Sequence, residues 1–178
     1  MKKILWSVLG LGALLVGAQV AYTAPLTDTA SQKFTVTVPK RVSITAPVAQ
    51  TATLPDSSAN LTFPAQTWQV RGNVVNGVAV TFVAQQPFTN TTDSSFVRDA
   101  KVTIAVASHT GPATWTVAGT GSAQTDFASA VNTATVSASS NKTGQAAFNL
   151  TVDFLTVDIA QVAAGDYETT VVGTVTEN

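Results

Sequence analysis

Apolar and polar positions alternate with a period of two along most of this chain. Phe34, Val36 and Val38 are separated by Thr35 and Thr37, the pattern of a strand with one face toward a core and the other toward water. Pro39 stops that strand, and Val42 and Ile44 resume the alternation as far as Ala46-Pro47. It returns at Trp68 and Val70, closed by Arg71-Gly72-Asn73, and at Val78, Val80 and Phe82 behind an Asn76-Gly77 turn, whose residues tolerate positive φ. Further strands are predicted at Val102, Ile104 and Val106, at Trp115 and Val117 after His109-Thr110-Gly111-Pro112, and over the small side chains of Ala130–Ala138. The clearest places Phe148, Leu150, Val152 and Phe154 on one face, with Asn149, Thr151 and Asp153 on the other. After Ala164-Gly165-Asp166, a last strand carries Tyr167, Thr169, Val171 and Val175 on one face.

Leu54–Asn60, Gln85–Ser95, Gly119–Asp126 and Ser139–Gly144 are rich in turn residues and read as loops, Gln85–Ser95 being the longest. With no helical periodicity beyond the first residues, roughly eight to ten short strands between turns predict an all-β fold. The architecture expected is a single antiparallel β-sandwich, immunoglobulin-like with Greek-key connections. A closed barrel is the other solution.

The beginning of the chain differs. Met1-Lys2-Lys3 opens onto the apolar run Ile4–Val16 and then small residues, the pattern of a secretory signal peptide. The run is shorter than the roughly 20 apolar residues of a membrane span. Cleavage is expected after Ala18 or near Ala24, giving a leader over 1–24 and a β-sandwich domain over 25–178; retention as an anchor is the alternative. No cysteine follows the run, so lipid attachment through one is excluded.

Without the leader about 155 residues remain, the size of one domain with a proper core. Loss of Lys2 and Lys3 moves the formal charge from −1 to −3. The remaining charges are scattered, and no basic stripe is interleaved with aromatics, which argues against nucleic acid and against an acidic membrane surface. The chain has no cysteine, so its cohesion rests on core burial and backbone ladders. Low charge with high β-propensity favours association between sheet edges.

Residues with chemistry are few. His109 is the only histidine and sits in a turn; no G-x-S-x-G elbow accompanies it. Asp153 and Asp158 are the carboxylates best placed to approach each other, without a supporting pattern. Asn90-Thr91-Thr92-Asp93, Asp126, Asp158 and Asp166 offer oxygens for calcium but lack D-x-D-x-D spacing. One histidine and no cysteine disfavour zinc. Trp68, Trp115 and Tyr167 are the candidate platforms for a sugar ring, although core packing is the stronger reading of the two W-x-V strands. Four N-x-S/T sequons, at Asn60, Asn90, Asn141 and Asn149, are expected from the threonine content alone. No catalytic residue and no cofactor is assigned; calcium is the one ion these residues leave open.

Two stretches carry a family likeness. The stretch from Ala163 to Thr176 (AAGDYETTVVGTVT) resembles the closing strand of bacterial pilin-like and coat-protein families. Trp68-Gln69-Val70 and Trp115-Thr116-Val117 are similar to the paired motifs of WxL cell-wall-binding domains, with Val in place of Leu. The resemblance implies a non-catalytic component of a surface or matrix. The expected protein is thus secreted, extracellular, cell-surface or periplasmic, structural or adhesive, and partnered by itself or other surface proteins. Phe34, Val36 and Val38 are its candidate edge-pairing strand, and the C-terminal strand is the alternative contact. A module binding glycan or cell-wall polymer is the alternative.

Overall fold

The computed structural model describes residues 25–178, and the export leader expected over 1–24 lies outside them. The chain divides into one unit that ends at Thr37 and a second from Val38 to Asn178.

In the described part of the first unit, residues 25–37, the chain forms neither helix nor strand. The strand expected over Phe34–Val38 is therefore not formed. Phe34 is 82% and Val36 87% exposed, and Val38, which opens the second unit, 74%. The alternation is present but has no neighbour to bond among the described residues, and an extended segment becomes a strand only when another chain segment takes its N–H and C=O groups.

The second unit is all-β, with antiparallel pairing throughout. Its strands are β1 (Val42–Thr45), β2 (Leu61–Thr62), β3 (Gln66–Gly72), β4 (Val78–Ala84), β5 (Phe88–Asn90), β6 (Val97–Arg98) and β7 (Ala100–Thr110). They continue as β8 (Trp115–Val117), β9 (Ser122–Gln124), β10 (Ala134–Ser140), β11 (Gly144–Phe154), β12 (Tyr167–Glu168) and β13 (Val171–Glu177). Single 3₁₀ turns at Phe127–Ser129 and Ile159–Gln161 are capped by the side chains of Asp126 and Asp158. The strands outnumber the eight to ten expected because several have only two or three residues.

One sheet runs β1-β3-β11-β7-β9, with β2 on the far end of β11; a second runs β13-β4-β10-β8; a small third is β12-β5-β6. From β7 to β11 each successive strand lies in the other main sheet. The turn residues therefore mostly mark arches between sheets. The turn before β4 is one: Gly77 N–H donates to Val74 O at 3.0 Å, and Gly77 alone takes positive φ, +82°. An arch suits strands whose apolar faces must meet, as buried Val70 and Val78 do on either side of this turn.

The main core draws on both large sheets: Trp68, Val70, Ile104, Phe148 and Leu150 from one, Val80, Phe82, Trp115 and Val136 from the other. Trp68 and Phe148 each meet Phe82 edge to face, at 5.3 and 5.8 Å between centroids, a favoured geometry for aromatic pairs. A satellite core of Phe88, Ala100 and Phe154, with Leu61, Phe63 and Tyr167 against it, lies around the third sheet. Phe88 and Asn90 contradict the reading of Gln85–Ser95 as a continuous polar loop, since both are buried on β5.

Candidate functional site

Trp68 and Trp115 are core residues, 7% and 8% exposed. Each meets a core phenylalanine edge to face, Trp68 with Phe82 and Trp115 with Phe148, and with both indoles buried neither is open to a sugar ring. Tyr167 is half-buried; its ring packs against Phe154 and its hydroxyl donates to Ala163 O at 3.2 Å. The three aromatics thus stand in two separate clusters.

The polar groups are largely satisfied by their own surroundings. Asn90 Oδ1 accepts from the N–H groups of Thr92 and Asp93, and its Nδ2 donates to Ala164 O. Asp93 Oδ1 accepts from Ser95 N–H, and these Ser95 bonds, the side-chain one first, hold the carboxyl below its ordinary range. Asp153 accepts from Thr62 Oγ1 at 2.6 Å, and Asp158 accepts from Ala160 N–H and from Gln161 Nε2. Asp126 binds Ser129 N–H. Among the described residues, no three His, Cys, Asp or Glu side chains gather as a metal site would need.

His109 lies on the last turn of the β7 ladder opposite Ala146, exposed, rather than in the turn that follows. Beside that end of the sheet, an open cleft of about 280 Å³ is lined by Arg71, Asn73, Thr110, Pro112, Thr143 and Gln145. It contains one cation and no acid, base or nucleophile pair.

The sheet edges are more distinctive. At the β1/β13 side neither edge strand buries a residue fully. Ile44, Val171 and Val175 reach the core only half-covered, and Val42 is 42% exposed. On the interior strand β4, by contrast, every inward position is buried. β13 is the terminal strand of its sheet over seven residues. Gln85 N–H donates to Thr170 O at 2.9 Å and Asn178 N–H to Gly77 O at 3.2 Å. With the register between, this bonds Val172, Thr174 and Thr176 to β4. The alternation of an antiparallel ladder then turns the N–H and C=O groups of Val171, Gly173 and Val175 to the open side. Along Val171–Thr176 there is no charge and no proline to guard that edge; the strand's last residue, Glu177, is ion-paired with Lys40 at 2.8 Å.

Sequence patterning pointed to Phe34–Val38 first and to the C-terminal strand as the alternative contact; which strands end a sheet it could not show, because an edge strand and an interior strand share the same period. Gly173 within the closing Thr/Val alternation is a further signal, since glycine inside a strand often marks the close approach of another backbone. Comparison with protein-family models, with curated proteins and with solved structures returns no match.

Proposed function

We propose that this chain is a secreted, non-catalytic structural or adhesive protein of a surface layer, filament or matrix, whose copies associate through their sheet edges. In this reading residues 1–24 are a signal peptide and the two large sheets stack as a single sandwich of Greek-key, immunoglobulin-like kind. The observation that carries it is the segment Phe34–Val38, which has strand alternation, three exposed apolar side chains and no ladder partner among the described residues. An apolar strand pattern left in water is costly unless something covers it. Backbone pairing to another sheet satisfies both the N–H and C=O groups and the side chains. The pilin-like and coat-like closing stretch points to the same class of protein.

Two measurements test this. Expression of the full chain followed by fractionation and N-terminal sequencing should find the protein outside the inner membrane, beginning near residue 19 or 25. Light scattering of the purified protein over a hundredfold concentration range should show growing assemblies, and microscopy should show fibres or sheets. A cytosolic product with its leader intact, or a monomer at every concentration, overturns the proposal.

A further inference from the structure

We infer that the acceptor for the Phe34–Val38 segment is the open edge of β13 on a second copy of the chain, paired antiparallel with Val36 opposite Gly173. This rests on the reading above, that copies associate through sheet edges, and assigns the two surfaces that meet.

The register follows from parity. On β13 the residues whose backbone groups face the open side, Val171, Gly173 and Val175, are also those whose side chains face inward. An added antiparallel strand must present the same face at each opposite position. Placing Val36 opposite Gly173 sets Phe34 opposite Val175 and Val38 opposite Val171, so that three apolar side chains enter and Thr35 and Thr37 stay in water. A shift by one residue would drive threonines inward.

A Cβ at Gly173 would stand 2.7 Å from both Ile44 Cδ1 and Trp68 Cζ3, so the inner surface there is shallow and made by β1 and β3. The half-covered Ile44, Val171 and Val175 and the exposed Val42 form an apolar seam. A docked strand covers it. Five residues of strand reach about 17 Å, and β13 offers seven residues of ladder. The other strands that end the large sheets are shorter, β1 with four residues and β8 and β9 with three each.

The test uses two proline variants of the full chain. Val36→Pro removes an N–H and bends the donor segment but leaves β13 intact. Val175→Pro removes an N–H that points away from β4, leaving the ladder to β4 in place while blocking the open edge. Near-ultraviolet circular dichroism checks that each is folded, and Val171→Pro replaces Val175→Pro if the latter is not. Wild-type protein is expected to assemble with concentration, while each variant alone loses at least tenfold in assembled fraction. Mixed one to one, the two variants should form heterodimers and go no further, since one supplies only an edge and the other only a segment. Continued assembly of Val36→Pro would mean edge-to-edge pairing of β13, and continued assembly of the β13 variant a different acceptor; either overturns the inference while leaving edge association standing. A mixture that stays monomeric overturns it as well. Wild-type protein that never assembles removes the broader reading along with it.

Discussion

Val157 is held at φ +58°, in the left-handed region, with its side chain 83% exposed. The chain makes a γ-turn there, Asp158 N–H donating to Thr156 O at 2.6 Å. A β-branched residue is strained in that region. The turn is fixed from both sides: Thr156 is fully buried with its hydroxyl on Ala59 O, and Asp158 caps the next 3₁₀ turn. Val157→Gly should therefore stabilise the fold by about 1 kcal/mol, the relieved strain less the entropy that glycine adds to the unfolded chain. A denaturant midpoint that rises at constant slope is the expected result; a fall would show the side chain holding a contact. Asp93 supplies a pH-linked case. Its carboxyl titrates below the ordinary value of 3.8 because Ser95 bonds its charged form. A lowered folded pKa stabilises the loop fully above the ordinary carboxylate range, and the contribution fades as pH falls through the lowered value. In an NMR titration Asp93 should show a depressed midpoint, and Ser95→Ala should move it upward by removing the side-chain bond while the backbone one remains.

Gly119–Asp126 read as a loop, yet it contains β9 and a buried tie to the start of β7. Thr125 is fully buried; its hydroxyl donates to Asp99 Oδ1 at 2.7 Å and accepts from Ala100 N–H at 2.9 Å, while Asp99 also accepts from Phe127 N–H. Thr125→Val keeps the shape but leaves a backbone donor unpaired beside a carboxylate short of one bond. The expected loss is about 2 kcal/mol in chemical denaturation, with Thr125→Ser close to wild type. A neutral Thr125→Val would mean that the tie contributes nothing. This element shows what patterning along the chain can reveal. Strands such as 148–154 were legible because alternating apolar residues report a buried face directly. Thr125 and Thr156 were not, because a polar residue is buried only when tertiary partners satisfy it, and those partners lie 25 or more residues away for Thr125 and 96 or more for Thr156. Turn residues showed where strands end but not whether the chain stays in its sheet or crosses to the other, which depends on packing of the two apolar faces. At the candidate site the same limit applied. Phe34–Val38 has the sequence of a strand, and its missing neighbour became visible only with the sheets assembled.

A chain without cysteine holds itself together through ladders and cores alone, so the state of each ladder reports on the whole molecule. The β13 edge has a backbone signature that association would change. In a separate chain the amides of Val172, Thr174 and Thr176 face β4, and those of Val171, Gly173 and Val175 face the open side. Hydrogen exchange resolved by residue should therefore alternate along β13 in dilute solution, slow at even positions and fast at odd ones. Once a second copy adds a strand, the odd amides gain acceptors and the alternation should give way to continuous protection. Phe34, Val36 and Val38, exposed in the separate chain, should slow at the same concentrations. Because such association binds only the folded state, the melting temperature should rise with concentration in parallel. Alternating exchange that persists while assemblies grow would place the contact elsewhere on the molecule. Alternation that vanishes only where the melting temperature rises would tie the assembly to completion of this one sheet.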